Sequence, residues 1–221
     1  GTYYEGTMSM PAHNTNYYED LSENVKFYRA IDVRAEDKLV IMISTMEIDT
    51  YDVVNDTLVE YGMPTDDYTY LWLEDVVFTT NGTALIVGAC QEQEDSYERG
   101  MVYLYDDGEL SELYVNTSNY RRSHFHGISY DTINDIALLV GYGETYDGNY
   151  IGIVYRYSTI NGFEELYVDT SSYSQSYFTD VDFAPNGSAM IVGNGYFVST
   201  GEETGLAYMY MANEGVFDLH I

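Results

Sequence analysis

Positive charge is scarce in this 221-residue chain: eight Lys and Arg stand against 37 Asp and Glu, a formal net charge of −29, and Lys26 and Lys38 are the only lysines. A surface this negative repels phosphate backbones and anionic headgroups, so nucleic acid is not an expected partner, whereas cations are drawn in. A solvated acidic face with no ligand fits the same composition, and so does adaptation to high salt. Cysteine is nearly absent too. Cys90 stands alone, which excludes an intrachain disulfide and a thiolate metal cluster, and inside an apolar strand it reads as a small core residue. No apolar run approaches the roughly 18 to 20 residues of a membrane span. The first residues carry neither a basic region nor a hydrophobic signal core, and the start at Gly1 is compatible with removal of a leader, tag or larger N-terminal part.

What is present is a repeat. The chain reads EDVVFTTNGTALIVG from 74, HGISYDTINDIALLVG from 126 and TDVDFAPNGSAMIVG from 179, which spaces Val87, Val140 and Val192 by 53 and 52 residues. Segments ending at Tyr105, Tyr157 and Tyr210 follow at constant offset, and ELYVNTS from Glu112 recurs as ELYVDTS from Glu165. A shorter copy places Val33 where the next unit has Phe78, 45 residues on. Within each unit apolar residues alternate or form short β-branched and aromatic runs, with no helical spacing. The Asn81-Gly82 and Asn186-Gly187 pairs read as tight hairpins with positive φ at both central residues. Four antiparallel strands repeating about every 52 residues are the pattern of β-propeller blades, so the expected fold class is an all-β propeller. Blades are expected at about 26–73, 74–126, 127–179 and 180–221, with 1–25 as outer strands of a partial blade.

The stretch Val181-Asp182-Phe183-Ala184-Pro185-Asn186-Gly187, followed by Ile191-Val192, resembles the inner-strand hairpin of TolB-like, YVTN-type and WD-repeat propellers. The resemblance covers about fourteen residues of each unit and implies the fold. The other copies lack the proline, and the Gly-His and Trp-Asp dipeptides of WD repeats are missing, so the adaptor role of that family is not carried over.

In propellers the loop entering the innermost strand lies at the mouth of the central channel. The repeat puts Phe27, Trp72, His124 and Tyr177 at one such position, Arg29, Glu74, His126 and Thr179 two further on, and Ala30, Asp75, Gly127 and Asp180 next. Trp72, Glu74, Asp75, His124, His126, Tyr177 and Asp180 are therefore the candidate ligand-binding residues. Carboxylates there suit a hard cation such as calcium, and flat rings suit sugar faces; packing between blades and plain solvation account for the same residues. His124 and His126 project from one strand face, but sequence fixes no third ligand for zinc. No catalytic residue is assigned: the chain has no Gly-x-Ser-x-Gly elbow, and Gly141-Tyr142-Gly143 and Gly193-Asn194-Gly195 read as strand ends and turns, with no helix to cradle phosphate. Sequons at Asn55, Asn81, Asn116 and Asn186 are candidate glycosylation sites. The 26 tyrosines read as rings capping blade faces with their hydroxyls in water.

The expected function is a non-enzymatic binding or structural propeller, extracellular or at the cell surface, making protein or glycan contacts. Partners would be a protein or second copy that completes the ring, or carbohydrate. The alternatives are a glycan hydrolase or lyase at the channel mouth, and a propeller of a halophile's cytoplasm.

Overall fold

A computed structural model describes residues 28–63, 68–92 and 97–219. The expectations for residues 1–25 and for Phe27 fall outside them. Sixteen strands form four antiparallel four-stranded sheets, and the described residues contain no helix. Sheet 1 holds β1 (Ala30–Arg34), β2 (Leu39–Ile43), β3 (Glu47–Asp52) and β4 (Thr57–Gly62). Sheet 2 holds β5 (Tyr68–Phe78), β6 (Ala84–Glu92), β7 (Glu98–Asp106) and β8 (Glu109–Leu113). Sheet 3 holds β9 (Arg122–Asp131), β10 (Ile136–Glu144), β11 (Tyr150–Ser158) and β12 (Gly162–Leu166). Sheet 4 holds β13 (Tyr173–Phe183), β14 (Ala189–Phe197), β15 (Glu203–Met211) and β16 (Gly215–Asp218). Every sheet is a simple meander, each strand paired with its neighbour in sequence. β5, β9 and β13 run across the unit boundaries read from the sequence, because a repeat fixes spacing but leaves its phase free.

The sheets stack in chain order. First strands of successive sheets pack on one another, β1 on β5, β5 on β9 and β9 on β13. Three apolar cores result, one per junction: Ile41, Ile43 and Leu73 belong to the first, Val87, Phe125 and Leu139 to the second, Val140, Phe178 and Ile191 to the third. Second strands such as β6 and β10 are apolar on both faces because each face meets a different core. At about 1.5–3 kcal/mol per fully buried large aliphatic or aromatic side chain, these cores supply most of the drive to fold.

Two junctions share one device. Phe125 of β9 covers Gly100 of β7, where a Cβ would meet the ring at 2.7 Å, and Phe178 of β13 covers Gly152 of β11, where the distance would be 2.6 Å. Beside each ring a serine accepts the glycine N–H, Ser123 for Gly100 and Ser176 for Gly152, both at 2.8 Å. Side-chain acceptors also bind backbone N–H groups of the next sheet: Asp32 takes Phe78 at 2.7 Å, Asp75 takes Ile128 at 2.9 Å and Ser129 takes Phe183 at 3.1 Å. These bonds fix the register between sheets, which apolar packing alone leaves loose.

At the two ends of the stack the pattern is exposed. Val87 and Val140 are fully buried, whereas their equivalent Val192 on the outer face of sheet 4 is 38% exposed. On sheet 1 Ile31 is 52% exposed where Val76, Ile128 and Val181 are buried.

Three local expectations are corrected. Asn81 and Asn186 do not take positive φ; only Gly82 (84°) and Gly187 (78°) do. The Gly82 N–H donates to Thr79 O and the Thr79 N–H to Thr83 O, with Ala184 to Ser188 alike, so each loop is a longer turn closed by a left-handed glycine. The turn with both central residues at positive φ is Asp107-Gly108, at 45° and 95°. Gly141-Tyr142-Gly143 and Gly193-Asn194-Gly195 lie inside β10 and β14, not in turns. Finally, the buried Tyr155 and Tyr208 keep their hydroxyls out of water, donating to the Asn116 and Asp169 carbonyls at 3.1 and 3.0 Å.

Candidate functional site

Each first strand of sheets 2 to 4 carries a β-bulge at the same place. Pairing passes from Leu73 to Asp75, from Phe125 to Gly127 and from Phe178 to Asp180, leaving Glu74, His126 and Thr179 out of the ladder. Opposite each bulge stands a glycine. A Cβ on Gly88 or Gly141 would lie 1.8 Å from the carbonyl oxygen of Trp72 or His124, and one on Gly193 would lie 2.0 Å from that of Tyr177. No side chain tolerates that approach, so the glycine closing ALIVG, ALLVG and AMIVG is what admits the bulge. Bulging frees one side chain per sheet, Glu74, His126 and Thr179, from ladder geometry.

Between sheets 2 and 3 the freed residues are ionisable. His124 Nε2 lies 3.2 Å from Glu74 Oε1, and its Nδ1 lies 3.8 Å from Glu98 Oε2. The Tyr142 hydroxyl donates to Glu98 Oε1 at 2.7 Å, Arg29 pairs with the other Glu74 oxygen, and the His126 ring stacks on His124 with centroids 4.4 Å apart. Burial opposes a charge on His124, but its bond to Glu74 and the nearby Glu98 carboxylate outweigh that and hold its pKa above the ordinary value. Burial raises the Glu74 carboxyl, yet the His124 and Arg29 bonds outweigh it and keep the pKa below its usual range. The neighbouring His124 does the same for Glu98. His126 is pushed down to about 4, first by burial and then by the charge on His124. The two stacked rings are thus pushed in opposite directions, His124 towards the imidazolium and His126 towards the neutral imidazole. Two imidazoles and a carboxylate are a donor set able to hold a metal ion.

Of the other sequence-selected residues, the two aromatics border the histidine cluster and the two aspartates stand apart from it. Trp72 stacks on Tyr70 at 5.3 Å and sits 6.5 Å from the His124 ring. Tyr177 extends the same ring stack, 5.6 Å from Tyr150 and 5.5 Å from Tyr142, whose own ring lies 5.8 Å from His124 and 5.6 Å from His126. Asp75 holds the Ile128 N–H, and burial pushes its carboxyl up to about 6. Asp180 is exposed and accepts the Val181 N–H at 2.8 Å, so neither aspartate joins the histidine cluster. All of these residues lie within strands, not in entering loops. Asn55, Asn81, Asn116 and Asn186 are exposed, and Cys90 is buried in β6.

Beyond Glu98 opens a cleft of about 700 Å³, whose lining, the sequon residue Asn116 apart, sequence reasoning missed. Tyr97, Tyr114, Tyr120 and Tyr146 line it with Arg99 and Arg121. Arg121 bonds the Tyr97 hydroxyl and lies 4.3 Å from that ring's centroid; Arg99 pairs with Glu92 at 2.9 Å and Glu112 at 2.7 Å. Tyr114 is 82% and Tyr146 73% exposed, so two rings stand open to solvent at the rim. One signal was available: Arg99, Arg121 and Arg122 are three of eight cations, gathered between positions 99 and 122 in a chain otherwise starved of them.

No protein-family model and no curated protein matches the sequence. Solved structures match by fold. The extracellular domain of a protein described as a one-component system of B. thetaiotaomicron aligns at 9% identity and TM-score 0.55, over 86% of this chain and 22% of that one. A second structure, described as the extracellular domain of a hybrid two-component system of the same organism, aligns at 10% identity and TM-score 0.52, over 81% and 22%. A protein described as an exo-β-1,3-galactanase from Bifidobacterium bifidum aligns at 9% and 0.53, over 86% and 70%. The chain thus spans about a fifth of the length of the first two. These likenesses are of all-β fold alone. No helix among the described residues is long and apolar enough to cross a membrane.

Proposed function

We propose that the four sheets are consecutive blades of a β-propeller and that the chain is a non-enzymatic binding module acting outside the cell or at its surface, with a neutral saccharide as ligand in the Tyr114–Tyr146 cleft. The observation that carries this reading is the cleft itself. Its volume falls within the roughly 300–1,000 Å³ range of small-molecule sites. It pairs exposed tyrosine rings, which cover apolar sugar faces, with Arg, Asn and Glu groups that match hydroxyls as donors and acceptors. The charge of −29 disfavours uronic or sulfated glycans and selects for uncharged sugars. The fold neighbours support it by their descriptions, the extracellular domain of a one-component system and a galactanase. In this reading the outer faces of sheets 1 and 4 each meet a further blade, from the same chain or another copy.

Titration calorimetry against a panel of neutral oligosaccharides, β-1,3-linked galactose oligomers included, tests the site. Wild type is expected to bind a member of the panel, and Tyr146→Ala to weaken that binding about tenfold, the equivalent of about 1.4 kcal/mol. Failure of wild type to bind anything in the panel, or unchanged binding by a Tyr114→Ala/Tyr146→Ala variant, would sink it.

A further inference from the structure

Glu74, His124 and His126 each offer one donor atom, and the three atoms lie within 4.8 Å of one another. We propose that they form a binding site for a divalent transition metal of the zinc class, with a fourth position open to water or a small ligand. The proposal does not depend on saccharide binding in the neighbouring cleft.

The donor set sets the metal. Two imidazoles and one carboxylate suit zinc, whereas calcium and magnesium take oxygen ligands almost exclusively. Three protein ligands leave one tetrahedral position free.

The surroundings have the form of an outer coordination shell. His124 presents Nε2 towards Glu74 and turns Nδ1 towards the Glu98 carboxylate, 3.8 Å away. Such a carboxylate on the far nitrogen fixes the tautomer and raises ligand basicity. Glu98 is itself held by the Tyr142 hydroxyl at 2.7 Å. Arg29 occupies one oxygen of Glu74 and leaves Oε1 on the histidine side.

The bulges supply the freedom to close. Ligands about 2.0–2.1 Å from a tetrahedral metal sit about 3.3 Å apart; Glu74 Oε1 and His124 Nε2, at 3.2 Å, already match that spacing, and His126 completes the set from within 4.8 Å. Glu74 and His126 are both skipped by the strand ladder, and neither is fully buried, so side-chain rotation achieves this without breaking a backbone pair. Sequence showed the two histidines but no third ligand; Glu74 reaches them only because sheet 2 is registered on sheet 3 through Asp75 and Ile128.

The test uses the full chain, stripped with chelator and titrated with zinc alone, with calcium in parallel and cobalt(II) absorption as a spectroscopic report. One equivalent of zinc is expected to bind, with calcium unable to displace it. His126→Ala should remove that equivalent while the far-ultraviolet spectrum stays unchanged; Glu74→Gln serves as the second ligand variant if His126→Ala misfolds. Glu98→Gln, which alters a positioning residue, should keep the cobalt bands at saturation but weaken binding about 10–100-fold. No zinc uptake, or uptake matched by calcium and untouched by both ligand variants, would mean that scattered surface carboxylates bind the ion and would overturn the site. Full-strength binding by Glu98→Gln would overturn the role given to Glu98.

Discussion

Between sheets 2 and 3, Phe125 rests on Gly100 and Ser123 caps the glycine N–H; between sheets 3 and 4, Phe178 and Ser176 do the same for Gly152. Both junctions have a bulge, a glycine facing it and a serine staple, yet their rims differ. The first presents His124, His126 and Glu98, where the second presents Tyr177, Thr179 and Tyr150. One is charged and polar, the other aromatic and uncharged. Because the frame is the same, the rim residues do not hold the sheets in place, and the junction 2/3 set is free to serve chemistry.

The comparison breaks most sharply at the glycines under the phenylalanines. Gly152→Ala drives a Cβ to 2.6 Å from the Phe178 ring and is expected to cost about 3 kcal/mol by overpacking. Gly205 holds the equivalent place on sheet 4, with nothing within 4 Å of its Cβ position, so Gly205→Ala should stay within about 0.5 kcal/mol. Chemical denaturation of the two variants measures the contrast, and equal losses would mean that the outer face of sheet 4 is covered.

Asp75→Ala comes next, at about 1–2 kcal/mol, because the Ile128 N–H loses its acceptor. Asp180→Ala removes only a local bond and should cost less than about 0.5 kcal/mol. A similar cost at both positions would contradict the inter-sheet role given to Asp75.

The mildest effect is electrostatic. In metal-free protein, NMR titration should find His124 protonating above its ordinary pKa and His126 near 4. The signs oppose each other. The raised His124 pKa adds stability below about pH 6.5 that is lost as pH rises through the folded value. The lowered His126 pKa adds stability above about pH 6.5 that is lost as pH falls towards 4. Replacing His124 with Gln removes the neighbouring charge and should move His126 upwards; an unmoved His126 would show burial acting alone.

The repeat spacing made the four sheets legible, since Val87, Val140 and Val192 do occupy equivalent places on β6, β10 and β14. The bulge column was legible as a column, Arg29, Glu74, His126 and Thr179, but not as bulges, because an extra residue in a strand looks like any other letter until its partner strand is known. Glu98 was invisible for a similar reason: it lies 26 residues from His124 and meets it only through sheet-to-sheet register. The Asn-Gly pairs misled because Thr79-Thr80 and Ala184-Pro185 lengthen the loops before them. The cleft was missed because Tyr97 and Tyr146 lie where the units stop resembling one another, while Tyr114 and Tyr120 belong to a stretch that recurs at Tyr167 and Tyr173 and so reads as part of the blade.

Three separate cores in series have a kinetic consequence. Each sheet is coupled only to its neighbours, so opening need not be all-or-none and can spread inward one interface at a time. Amides of β6 and β10, flanked by a core on either face, should be the slowest to exchange with deuterated solvent. Those of β4 and β16 at the sheet edges should be the fastest, which makes the histidine junction, between sheets 2 and 3, the last part of the described chain to come apart.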